Sequence, residues 1–190
     1  MNKQLEEQKG HHLILGEMVD FITGRTIRDT HDERYRQRLA RLLVDQKGYL
    51  KKDIEARRQL PVKAGDKTAT LKIDYMISLS DKICMILKYG PGSLSTRHRP
   101  ALAASRLVAR YQVPIVVVTN GKDADIIEGA TGNIIGRGLE SIPGKAALID
   151  IAQKTEFPQI SDKQFEMESR ILYAFEVDDS CPCDDTICRI

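Results

Sequence analysis

The chain contains no tryptophan, and aromatic residues of all kinds make up 5% of its 190 residues. Its core must therefore rest on leucine, isoleucine, valine and alanine. Long apolar runs are missing too. The longest, residues 113–118, is far too short for a bilayer, which needs about 20 residues. The first ten residues are polar and mixed in charge, without the apolar stretch of a secretory signal. The expectation is a cytoplasmic protein with no membrane partner. A large excess of one charge is also absent. The formal net charge of +2 selects no partner by itself.

The composition that remains is 42% apolar and 29% charged, ordinary for a soluble globular protein. The length suits one domain with short flanking extensions. The charges are unevenly placed. Residues 25–63 hold twelve basic and six acidic side chains, whereas the C-terminal end carries Glu166, Glu168, Glu176, Asp178, Asp179, Asp184 and Asp185. A basic first third suits phosphate contacts, which give nucleic-acid affinity without reading sequence. A solvated helix face with interspersed charge explains it equally well at this stage.

Thr30 followed by Glu33 has the form of a capping box, so a helix is expected from residue 30. Tyr35, Leu39, Leu42 and Leu43 recur at helical spacing up to Gly48, and Arg34, Arg38 and Arg41 share the other side. Residues 53–62 alternate weakly and suggest a strand. Residues 70–79 and 83–89 read as strands joined by a turn at residues 80–82. Residues 100–111 form a helix with a small-residue face. Residues 113–118 form a continuous apolar strand, typical of one buried on both faces. A hairpin follows at residues 124–128 and 133–135, then helices near 144–153 and 161–176. A strand, a crossover helix and a buried strand imply a parallel pair inside a mixed sheet.

Asp74 lies in the first strand of the central hairpin and Lys88 near the end of the second, in an otherwise apolar stretch. A lysine at the rim of a buried strand needs a partner, because burying its charge alone is costly. Asp74 is the partner expected. Glu33-Arg34-Tyr35-Arg36-Gln37, residues 43–49, Ile73-Asp74-Tyr75 and Lys88-Tyr89 come in this order. Arg106, Tyr111, Val113-Pro114 and Thr119-Asn120-Gly121 follow them. With this text the chain resembles the PD-(D/E)xK nuclease superfamily. More narrowly, it resembles the N-terminal domain of type I restriction enzyme R subunits, over roughly residues 22–128.

The resemblance implies an α/β fold with a restriction-endonuclease-like core, a mixed central sheet flanked by helices. It implies a Mg²⁺-dependent DNA endonuclease, a phosphodiesterase, in which Glu33, Asp74 and Lys88 are catalytic and Asp74 is the principal metal ligand. The expected layout is an N-terminal extension over 1–21, the nuclease-like domain over 22–155, and a C-terminal helix and cysteine-bearing tail over 156–190. One position departs from the pattern. The family's acid-x-lysine triplet needs a carboxylate or Gln at residue 86, and this chain has Ile86-Leu87-Lys88. Isoleucine cannot ligate a metal. The following helix, residues 97–111, holds no acid to replace it. Glu55 and Asp81 are the acids that could stand in for it.

Each candidate has an ordinary structural reading beside the functional one. Glu33 suits a helix cap, and Lys88 suits a strand-end lysine reaching water. Arg97 and Arg99 open a helix after a Gly-Pro-Gly loop, where a phosphate or an ordinary first turn would be at home. Arg34, Arg38, Arg97, Arg99 and Arg106 form the candidate nucleic-acid set, with Tyr111 read as core or groove. Cys181, Cys183 and Cys188 crowd the tail. They suggest a zinc or iron–sulfur site, free or redox-active thiols, or a disulfide. The expected partners are nucleic acid, of which DNA is the expected type, a restriction-system partner and a second copy of the chain. Three functions follow: a nuclease-like nucleic-acid-binding protein, a catalytically silent interaction or accessory module, and a metal- or redox-linked protein acting through the tail.

Overall fold

The computed structural model describes residues 14–178 and 188–189. It opens with an antiparallel hairpin, β1 (Gly16–Val19) and β2 (Thr26–Asp29). Asp20 makes the turn between them. Its Oδ1 accepts from the Ile22 and Thr23 N–H groups and the Thr23 hydroxyl, a common use of Asp in turns. This hairpin was not expected from the sequence, which gave a first element only at residue 30.

Helix α1 (His31–Arg41) starts where the capping signal placed it. The Thr30 hydroxyl accepts from the Glu33 N–H, while Asp32 and Glu33 in the first turn and Arg38 and Arg41 in the last complement the helix dipole. The capping box is half made, because the Glu33 carboxylate turns to other partners. A π-helical turn over Leu42–Gln46 extends α1 to Gly48, whose φ of +75° suits glycine.

Strands β3 (Ile54–Ala64), β4 (Lys67–Leu79) and β5 (Lys82–Tyr89) run antiparallel in succession. The β4–β5 connection is a two-residue turn in which Ser80 and Asp81 both take positive φ. Helix α2 (His98–Leu107) then crosses over to β6 (Ile115–Thr119), which lies parallel to β5. Ala101, Ala103, Ala104 and Ser105 let α2 lie close on the sheet. Strands β7 (Ala124–Glu128) and β8 (Ile134–Arg137) complete the order β3-β4-β5-β6-β7-β8. Helices α3 (Lys145–Lys154) and α4 (Asp162–Tyr173) follow, and α4 passes into a π-helical turn over Ala174–Asp178. A two-residue strand, β9 (Cys188–Arg189), pairs with β4 at Ala69 and Thr70. The mixed sheet flanked by helices, with its parallel pair, is as the residue pattern and the resemblance implied.

The sheet separates two cores. Met76, Ile86, Val116 and Val118 pack against Ala101, Ala104 and Leu107 of α2 and Leu172 of α4. On the other face Tyr75, Ile77, Met85, Leu87 and Val117 meet Leu39 and Leu43 from α1 and its extension, with Leu148 of α3. Strand β4 changes phase between these faces. Leu71 and Ile73 lie in the α2/α4 core, whereas Tyr75 and Ile77 lie in the α1 core. A regular strand would keep residues two apart on one face. The break falls at Asp74, opposite Arg57 of β3, which holds the unusual φ of +56° for a residue with a side chain. Asp74 thus leaves the plain alternation of the strand and turns toward α1.

Candidate nucleic-acid interface and acidic cluster

Asp74 is 8% exposed, and both of its oxygens are taken. Oδ1 accepts from Nε of Arg36 at 2.5 Å, and Oδ2 accepts from the Tyr89 N–H at 2.7 Å. Arg36 also lies 3.9 Å from Glu33, and its guanidinium stands 4.9 Å from the centre of the Tyr89 ring. Glu33 Oε1 accepts from Gln37 at 2.8 Å and from Arg57 at 2.5 Å. Arg57 and Gln37 both donate to Oδ2 of Asp20, at 2.5 and 2.8 Å. The result is a chain of alternating charge, Asp20–Arg57–Glu33–Arg36–Asp74, joining the hairpin, α1, β3 and β4.

Electrostatics in the chain follow from this pairing. Burial alone would raise the Asp20 pKa, but the Thr23 N–H, Arg57 and Gln37 outweigh it and lower it to about 2. Burial opposes the charge of Arg36, yet Asp74, Glu33 and Asp32 push its pKa up. Arg57 is raised in the same way by Asp20 and Glu33 against its own burial. These guanidiniums are therefore fixed cations inside the fold.

The three residues expected to be catalytic are not assembled into one site. Asp74 and Glu33 meet only through Arg36. Lys88 does not pair with Asp74 as expected: its Nζ lies 2.8 Å from Glu176 in the turn after α4, because Lys88 follows Ile86 onto the α2/α4 side of the sheet. Ile86 is fully buried among apolar side chains of that core. Neither substitute acid approaches. Glu55 pairs with Arg58 at 3.0 Å on the surface, and Asp81 sits in the β4–β5 turn.

The arginines expected at nucleic acid divide in two. Arg34 and Arg38 lie on the outer face of α1 and border an open groove of about 470 Å³ with His31, Tyr35 and Arg41. Arg34 holds Asp29 with two hydrogen bonds of 2.7 Å and is half exposed. Arg38 stacks 4.2 Å from the Tyr35 ring, and Arg41 and Lys51 both lie on Phe21, at 4.5 and 4.1 Å. Arg97, Arg99 and Arg106 belong elsewhere. Arg97 donates to the Pro91 carbonyl. Arg99 and Arg106 clamp Glu168 of α4, whose side chain is fully buried, at 2.7 and 2.5 Å. An acid on α4 without solvent needs those cations, so this pair of arginines joins α2 to α4. Tyr111 is a structural residue: its hydroxyl accepts from the Ile83 N–H and its ring meets Phe157 edge-on.

Cys181 and Cys183 lie outside the described residues, and Cys188 is described only as part of β9. Among the described residues no group of three or more metal-ligating side chains occurs. No helix among them is long and apolar enough to cross a membrane.

Reading the sequence missed Asp20, Arg36, Gln37, Arg57 and Glu176 as partners in these clusters. Glu33 and Gln37 stand one helical turn apart, which is legible. The Arg57–Asp74 juxtaposition depends on strand register and left no local signal.

A family model described as "Type I restriction enzyme R protein N terminus" matches residues 31–143. No curated protein and no solved structure matches the chain. The matched stretch runs from the start of α1 to Pro143 just before α3, and so takes in the whole acidic cluster except Asp20.

Proposed function

We propose, from the premise that the chain belongs to the family of type I restriction enzyme R protein N termini, that it is a DNA-binding module in which metal-dependent cleavage is silent. The observation that carries this reading is the occupancy of Asp74. A carboxylate that ligates Mg²⁺ must offer oxygen to a cation that also demands near-octahedral geometry. Here one oxygen of Asp74 holds the Arg36 guanidinium and the other holds a backbone N–H. Glu33 is engaged by Arg57 and Gln37, and the third donor position is the buried Ile86. This donor set does not fit the metal. Lys88, neutralised by Glu176, is not free to orient an attacking water.

Binding is supported by the outer face of α1. Arg34, Arg38 and Arg41 line an open groove beside His31, and phosphate attraction of this kind is sequence-independent and salt-dependent. A partner from a restriction complex would then supply the chemistry that this chain lacks. The test is fluorescence anisotropy with duplex DNA across a salt series, run beside a nicking assay with Mg²⁺ and Mn²⁺. The expected result is binding that weakens steeply with salt and no cleavage. Metal-dependent cleavage abolished by Asp74→Ala would overturn the silent reading, and absence of binding at low salt would overturn the module.

A further inference from the structure

A second recess opens beside the arginine groove, across the ridge made by Tyr35. It measures about 440 Å³, within the ~300–1,000 Å³ range usual for small-ligand sites. It sits beyond the C-terminal ends of β5 and β6, bordered by the loops that leave them at Gly92 and Asn120. These strands are the parallel pair of the sheet, and ligands of open α/β sheets collect at this end of parallel strands. The walls are aromatic. Tyr35 and Tyr89 stack at 5.9 Å with 17° between their planes. Tyr35 is held in place by Gly121, where any Cβ would run into its ring.

The recess has a buried carboxylate in its wall. Asp32, 8% exposed, borders it, and its Oδ1 accepts from the Tyr89 hydroxyl at 2.9 Å. Among the described residues no hydrogen bond occupies its Oδ2. The Lys122 ammonium and the His31 ring also border the recess, both exposed to solvent. His31 and Tyr35 are shared with the arginine groove. A carboxylate repels phosphate, so the anionic part of a ligand belongs at Lys122 and the adjoining arginine groove, and its hydrogen-bond donor at Asp32. A flat group with an amino donor at one edge and a phosphate at the other is a nucleotide, and its Watson–Crick edge is free only when it is unpaired.

We propose that this recess takes one unpaired nucleotide of a DNA strand, with an amino-bearing base such as cytosine directed at Asp32, while the flanking phosphates lie on the Arg34–Arg38–Arg41 groove. The proposal rests on the DNA-binding reading above and adds a base-selective subsite to it. Cytosine offers its N4 amino group to a carboxylate, whereas thymine presents a carbonyl oxygen at that position.

The experiment compares anisotropy titrations of single-stranded oligo(dC), oligo(dT) of equal length and a duplex of that length. The unmodified protein is expected to bind oligo(dC) about fivefold more tightly than oligo(dT), as one charge-assisted hydrogen bond allows. Asp32→Asn keeps an oxygen for Tyr89 and turns an amide N–H₂ to the recess. It is expected to abolish or invert the preference while changing duplex affinity less than about twofold. Tyr89→Phe, which releases Asp32 from its fixed orientation, is expected to lower the preference as well, with folding of both variants checked by thermal melting. Free dCMP lacks the neighbouring phosphates. Its displacing oligo(dC) at matched nucleotide concentration would overturn the strand as the ligand's source. Equal binding of oligo(dC) and oligo(dT), with duplex binding intact, would overturn the subsite alone. Loss of all three would overturn the DNA-binding reading together with it.

Discussion

The two faces of α1 carry arginines with opposite fates. On the inner side Arg36 is sealed against Asp74 and Glu33 together with Arg57 and Gln37, and its charge is permanent. On the outer side Arg34, Arg38 and Arg41 face an open groove, resting on Asp29, Tyr35 and Phe21. Arg36 lies only two residues from both Arg34 and Arg38, yet helical spacing turns it to the other side. The difference lies in what stands opposite. A guanidinium with buried carboxylates around it becomes structure, and one facing solvent stays available for phosphate.

The largest effect should come from breaking the inner chain. Arg57→Ala leaves Asp20 and Glu33 buried without their shared cation, which typically costs about 3–5 kcal/mol. Urea denaturation should show a midpoint lowered accordingly, with Arg36→Ala following it through Asp74. A loss under about 1 kcal/mol for both would show that the chain is solvated and that the contrast between the faces is wrong. Arg34→Ala, on an exposed pair, should cost only about 0.5 kcal/mol.

Acid should reach the inner chain next. The folded pKa of Asp20 lies near 2, below its ordinary value of 3.8. Its contribution is therefore complete above about pH 4 and is lost as the pH falls toward 2. The lowering corresponds to about 2 kcal/mol. Stability measured between pH 5 and pH 2 should fall less steeply in Asp20→Asn, which carries no titrating group there. An unchanged slope would remove Asp20 from the account.

The outer face should answer mainly to salt. Replacing Arg34, Arg38 and Arg41 together by alanine should reduce the slope of log affinity against log salt by about 2–3, since each phosphate contact contributes roughly 0.9. The fold should be little affected, and Arg99→Ala should leave the slope unchanged because that side chain is engaged with Glu168. An equal loss of slope from Arg99→Ala would move the interface from α1 to α2.

A smaller effect would sharpen the account of Lys88. Glu176→Gln removes the charge opposite a mostly buried ammonium, and a loss of about 1–3 kcal/mol in denaturation is expected. A gain of metal-dependent cleavage on this change would restore Lys88 to catalysis.

Much of the fold was legible because its signals are local. The Thr30 cap, the alternation in β4, the small-residue face of α2 and the apolar run of β6 each specify their own element. The substitution at Ile86 was equally plain, and its burial follows from the strand that carries it. Less of the site was readable. Asp74 was identified, but its partner was expected to be Lys88, which shares the neighbouring strand. The phase change in β4 turns Asp74 toward Arg36, and Lys88 pairs with Glu176 instead. Arg99 and Arg106 read as phosphate ligands because Glu168, over sixty residues later in the chain, gave no hint that it lies against them.

The sequence by itself determined the order of helices and strands, the basic face of α1 and the missing carboxylate at residue 86. These depend on periodicity, capping and residue chemistry, all of which act within a few positions. Only the tertiary structure decided which charges are closed and which are open. Pairing energy depends on which distant side chains share a low-dielectric space. That is settled by strand register, by the positive φ of Arg57 opposite Asp74, and by the docking of Asp20 and Glu176 from the two ends of the described chain.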